Sequence, residues 1–211
     1  MFKLYYSPGA CSMASHIGIE ESGLAYEPVP TLIPKNEHKS EAYLKINPRG
    51  KVPALQIDDG SVITENAAIL GYIARRAPEK KLLPTDPAAE AKCISAMTWF
   101  SNSVHPAFTH IARPERFAED ANCTPTVKET GKKTFWAALE EIDGLLAGKE
   151  WIAGSQFTVA DGYALVFYGW GARIELPMKE LKNYSAFKDR IMKRPAVHKV
   201  LEREQNILLK Y

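Results

Sequence analysis

The run Asn47-Pro48-Arg49-Gly50-Lys51-Val52-Pro53-Ala54-Leu55-Gln56-Ile57-Asp58-Asp59-Gly60-Ser61-Val62-Ile63-Thr64-Glu65-Asn66 decides the fold. An Asp-Gly turn between two short apolar runs predicts a β-hairpin, because such turns match the twist of the flanking strands. Toward the N-terminus, Phe2-Lys3-Leu4-Tyr5-Tyr6 reads as a strand, Ser7-Pro8-Gly9 breaks it, and Met13 and Ile17 begin a short helix. A second strand over Tyr26 to Ile33 then completes a βαβ unit, whose crossover makes the two strands parallel. Toward the C-terminus, Ile69, Tyr72 and Ile73 recur at helical spacing up to Arg76.

Beyond Arg76 the pattern changes. Residues 78–87 carry three prolines and a charge cluster and read as a connection between domains. From Ala88 onward the period is helical throughout. Phe135, Leu139, Ile142 and Leu146 form one apolar stripe, and Val197, Val200 and Leu201 another. Thr158-Val159-Ala160-Asp161 ahead of an apolar run fits a capping box. The expected division is a mixed α/β domain over 1–77, a linker over 78–87 and an all-helical domain over 88–211.

Composition limits the function. At 45% apolar and 25% charged over 211 residues, the chain is globular rather than disordered. Its 27 Lys and Arg against 25 Asp and Glu leave a charge of +2 without a long basic run, which disfavours a nucleic-acid partner. The longest apolar stretch, Tyr163 to Ala172, falls well short of the roughly 20 residues that span a bilayer. The first residues, MFKLYYSPGACS, lack the apolar segment of a secretory signal, so a cytoplasmic location is expected. Three cysteines, Cys11, Cys93 and Cys123, without C-x-x-C spacing predict neither a disulfide framework nor a metal site.

Four motifs in order, Tyr6-Ser7-Pro8-Gly9-Ala10-Cys11-Ser12, Asn47 to Pro53, Thr64-Glu65-Asn66 and Phe157 to Asp161, resemble the cytosolic glutathione S-transferases, the bacterial beta class above all. The resemblance runs over the whole chain. It implies a thioredoxin-like domain followed by a helical domain, glutathione as co-substrate, no metal, and assembly as a homodimer.

Cys11 follows a Pro-Gly break at an expected helix start, where free amides and the helix dipole favour a thiolate, so its pKa is expected to be lowered. Ala14 stands where a dithiol oxidoreductase would have its second cysteine, which disfavours thioredoxin-type turnover. The resemblance carries His105 over as the histidine facing the thiol. Pro106 after it restrains the backbone and predicts a kink. Glutathione has charged groups at both ends, and Glu65 suits its ammonium while the backbone amides of Glu65 and Asn66 suit the neighbouring carboxylate. The resemblance further implies a cis peptide between Val52 and Pro53 and pairing of the Val52 backbone with the cysteinyl part of the ligand. Lys35 and Lys51 are candidate partners of the glycyl carboxylate. Phe108, Ile111, Tyr163, Phe167 and Trp170 are candidate apolar walls of the acceptor site.

Three functions remain open on the sequence. Bound glutathione attacks a hydrophobic electrophile as its thiolate; or Cys11 itself exchanges with a disulfide; or the fold is a non-enzymatic ligand-binding or interaction module.

Overall fold

The computed structural model describes all 211 residues. β1 (Phe2–Tyr6) turns Phe2, Leu4 and Tyr6 to one face and buries them, as the two-residue period of a strand requires. α1 (Met13–Ser22) ends at Gly23, whose φ of 70° supplies the left-handed cap that stops the helix. β2 (Tyr26–Pro30) then pairs with β1 in parallel. β2 is shorter than the expected strand. Pro28 and Pro30 have no N–H to donate and are tolerated because β2 is an edge strand.

A short helix, α2 (Glu41–Ile46), precedes the hairpin of β3 (Ala54–Gln56) and β4 (Val62–Thr64), with the Asp-Asp-Gly turn at its tip. β3 is antiparallel to both β1 and β4, and Leu55 lies opposite Leu4 and Ile63. The strand order is β2-β1-β3-β4. Helix α3 (Asn66–Arg76) lays Ile69 and Ile73 on the sheet, closing a small core with Ile19, Leu55 and the β1 side chains.

The remaining helices are α4 (Pro87–Trp99), α5 (His105–Ala112), α6 (Thr124–Leu145), α7 (Val159–Arg173), α8 (Lys182–Ile191) and α9 (Pro195–Arg203). α4 starts at Pro87, inside the stretch read as the connection, with the Asp86 carboxylate accepting from the Ala89 N–H at 2.9 Å. α7 is buried on every side, and one large core joins it to α1, α3 and the other helices. α1 packs on α7 closely because Gly162 offers no side chain: a Cβ there would stand 3.0 Å from Ile17 Cγ2. The capping box at the start of α7 is present. The Asp161 carboxylate accepts from the Thr158 N–H at 2.6 Å and also from the Ile152 N–H at 2.8 Å, so the box ties the preceding loop to the helix.

Between α4 and α5, just ahead of Pro106, the helical hydrogen-bond pattern changes. Residues Phe100–Val104 form one wide π-turn in which the His105 N–H reaches back five residues to Phe100 O. The extra residue spares the following helix the bond that Pro106 cannot make, and the backbone passes on into α5.

Candidate active site

The loop from Ser7 to Ser12 carries Cys11, and its shape is set by short bonds. The Ser12 hydroxyl accepts from the Ser7 N–H at 3.1 Å and donates to Ser7 O at 3.2 Å, while Ser7 Oγ accepts from the Ile33 N–H. Gly9, at φ 69°, gives the turn a left-handed residue. Its N–H donates to Glu204 Oε2 at 2.9 Å, and its carbonyl accepts from Trp170 Nε1 and from the Arg173 guanidinium, both at 3.0 Å. The loop is therefore clamped by α7 and by the residue that follows α9.

Cys11 differs from the sequence expectation. α1 begins only at Met13, and the thiol turns inward, 9% exposed, with Sγ 3.5 Å from Val52 O. Burial pushes its pKa up to about 12, and the nearby Asn66 side chain and the Cys11 amide, which pull it down, do not overcome that. The free thiol keeps its proton at neutral pH. The structure thus overturns the expected lowering: loss of solvation outweighs the amides of a helix that starts two residues later.

The Val52–Pro53 peptide is cis. The preceding loop is held by Lys51 O, which accepts from the Tyr43 hydroxyl and from Asn47 Nδ2, both at 2.7 Å. The Val52 N–H donates to no acceptor in the chain. At the start of α3, Glu65 has φ 70°, an uncommon conformation for a residue with a Cβ, and its side chain does not cap the helix. The Glu65 carboxylate is exposed and lies 3.8 Å from Arg49. The Asn66 side chain turns inward: Oδ1 accepts from the Ser15 hydroxyl at 2.7 Å and Nδ2 donates to Cys11 O at 3.0 Å. The Asn66 side chain thus fastens the cysteine loop to α1 and α3 and leaves only its backbone toward the cleft.

His105 is half-buried and packs edge-on against Trp170, ring centres 5.0 Å apart. No hydrogen bond joins it to Cys11; its link to the cysteine loop runs through Trp170 and Gly9. Burial, followed by the positive charges of Lys51 and Arg116, pushes its pKa down to about 4, so the imidazole is neutral at pH 7. Lys51 is exposed, and its charge reaches both His105 and Cys11. Lys35 is exposed on a short turn over Ile33–Lys35. Thr98, on α4, turns its hydroxyl back to Ile94 O at 2.9 Å.

The apolar residues expected as walls pack otherwise. Phe167 has no exposed surface, Tyr163 is 1% exposed and Ile111 5%, so all three belong to the core between helices rather than to an open wall. Phe108 stacks on Trp170 at 4.3 Å, and this pair forms a floor under His105. Trp170 also holds Gly9, a positioning role that its indole N–H gives it and that the sequence did not show. His16 and Glu204 were missed as well. Their buried contact, 2.8 Å long, supports Gly9 from below, and nothing in the local sequence links residues 188 positions apart.

A thioredoxin-like half with a cysteine loop, a cis-proline strand edge and an uncapped helix start, facing an all-helical half, defines the fold of the cytosolic glutathione transferases. The description "Glutathione S-transferase, N-terminal domain" matches residues 1–75, and "Glutathione S-transferase, C-terminal domain" matches residues 100–195. The chain is 35% identical to glutathione S-transferase GstA of Escherichia coli O157:H7, over 96% of this chain and 98% of that protein. A glutathione transferase homologue from Sulfitobacter, solved with bound glutathione, superposes with a TM-score of 0.92 at 32% identity, covering 96% of this chain and 98% of that one. The beta-class glutathione S-transferase of Sphingomonas chungbukensis superposes at 0.84 with 36% identity over the same shares of the two chains. The chain belongs to the glutathione S-transferase family. No helix is long and apolar enough to cross a membrane.

Proposed function

We propose that this protein conjugates reduced glutathione to electrophilic carbon on hydrophobic molecules. The observation that carries the reading is a set of open backbone donors beside a buried thiol: the Val52 N–H and the uncapped first turn of α3. These are the donors an extended, doubly charged peptide requires. The Val52 backbone pairs with the cysteinyl part, the Asn66 amide takes the γ-glutamyl carboxylate, and the exposed Glu65 takes the ammonium. Lys35 and Lys51 take the glycyl carboxylate. The glutathione sulfur then lies between Cys11 and the neutral His105, which hydrogen-bond it and favour its thiolate. In the transfer the sulfur–carbon bond forms, the leaving group departs with its bonding electrons, and the thiol proton passes to solvent.

The protonated state of Cys11 favours this reading over thiol exchange, because only a thiolate is an effective nucleophile. The same reading includes the domain limits 1–77, 78–87 and 88–211, with α4 entering the connection at Pro87, and, as the resemblance to the bacterial beta class implies, a homodimer and a cytoplasmic location. Titration calorimetry with reduced glutathione, alongside a conjugation assay with 1-chloro-2,4-dinitrobenzene, tests the proposal. Saturable binding with product formation is expected; a folded protein that does neither refutes it.

A further inference from the structure

A cavity of about 450 Å³ opens between the two domains, away from the cysteine loop. Its apolar wall is Leu82, Trp151 and Phe157, and its polar wall holds Glu21, Lys80 and Arg194. Glu21 lies about 12 Å along α1 from Met13, so the cavity sits at the end of that helix opposite Cys11. The volume falls within the roughly 300–1,000 Å³ that small-molecule sites occupy.

The cavity is preformed. The Glu21 carboxylate accepts from Arg194 Nε at 2.6 Å and from Arg194 Nη2 at 2.8 Å, a two-pronged ion pair that joins α1 to the residue before α9. The same guanidinium lies 4.0 Å from the centre of the Phe157 ring, and Phe157 meets Trp151 edge-on at 5.4 Å. The loop ahead of α7 is pinned as well: Gln156 Nε2 donates to Lys81 O at 2.7 Å, the Val159 N–H donates to Leu82 O at 2.9 Å, and Trp151 and Gly154 exchange two backbone bonds of 2.9 Å. These bonds hold the walls in place, so a ligand entering here has little to order.

Not all of its polar groups are engaged. Glu21 and Arg194 cancel in charge. Lys80 is exposed and makes no ion pair or hydrogen bond, its Nζ standing 3.7 Å from where a Cβ on Gly23 would lie. The exposed Ser155 hydroxyl, also at the cavity, has no partner in the chain. One net positive charge and a free hydroxyl therefore stand beside two aromatic rings.

We infer that this cavity is a second ligand site, separate from the glutathione cleft, and that it takes a small aromatic monoanion of the aryl carboxylate class. The flat body lies against Trp151 and Phe157, and the carboxylate meets the Lys80 ammonium and the Ser155 hydroxyl. A neutral ring leaves the Lys80 charge unmatched, and a second negative charge meets no second free cation, so the charge count selects a monoanion. The inference goes beyond the transferase reading and does not depend on it.

Calorimetric titration of 2-naphthoate into the full chain tests this, with S-hexylglutathione in excess to fill the cleft beside Cys11. One saturable site per chain is expected. The uncharged 2-naphthamide binds about fivefold more weakly, and Lys80→Ala weakens naphthoate by about the same factor while leaving naphthamide unchanged. Ser155→Trp fills the cavity and abolishes binding of both. Because Lys80 and Ser155 are exposed, both variants keep the wild-type unfolding midpoint, which circular dichroism checks. No saturable binding at millimolar concentrations, equal affinity for the two ligands, or binding that neither substitution changes overturns the inference.

Discussion

Replacing Glu204 by Ala tests how the cysteine loop is held. The Glu204 carboxylate accepts from the Gly9 N–H at 2.9 Å and from His16 Nδ1 at 2.8 Å, and the His16 and Glu204 side chains are both wholly buried. His16 Nε2 faces Arg203 Nη1 at 3.2 Å; since a guanidinium only donates, Nε2 accepts and the ring proton sits on Nδ1. Both bonds to Glu204 therefore run from N–H donors, one buried and one part-buried, to a buried carboxylate, each contributing about 1.5–3 kcal/mol. Their joint loss costs roughly 3–6 kcal/mol, a large part of the 5–15 kcal/mol that ordinarily holds a domain together. Urea unfolding at pH 7 should show a lower midpoint with an unchanged slope. Because Gly9 lies two residues before Cys11, glutathione affinity should fall as well. A stability loss below about 1 kcal/mol with normal glutathione binding would refute the account of how this loop is positioned.

Three further outcomes are expected. Cys11→Ala retains most conjugation, since the attacking sulfur belongs to glutathione; the wild type without glutathione shows no thiolate absorbance step assignable to Cys11 between pH 6 and 9, because the pKa of that thiol lies near 12. His105 binds its proton less readily folded than unfolded, so its contribution to stability is full above its ordinary pKa of 6.5 and is lost as pH falls toward 4; thermal unfolding of His105→Gln should depend less on pH across that window. Asp161→Ala leaves the buried Ile152 and Thr158 amides without acceptors and should lower stability by about 2–4 kcal/mol in chemical unfolding, with little change in KM for glutathione if the protein is assayed well below its midpoint.

Much of the fold is legible in local sequence. The Asp-Asp-Gly turn, the apolar spacing of α3 and the capping box of α7 each act within a few residues, and each produced the element expected of it, whereas β2, expected to run to Ile33, stops at Pro30. Pro106 was legible only in part. Its missing N–H announces a disturbance, but not its form, a widened turn over Phe100–Val104 whose two end residues are fully buried.

The sequence by itself determined the order of elements and which residues are chemically able to bind a charged thiol peptide, because backbone propensity, turn chemistry and charge are properties of short segments. Only the tertiary structure decided the state of Cys11, the inward turn of Asn66 and the core packing of Phe167. Those outcomes depend on what is buried beside what. Solvation and long-range pairing, such as Gly9 with Glu204 across 195 positions, are set by contacts that no local stretch of sequence contains.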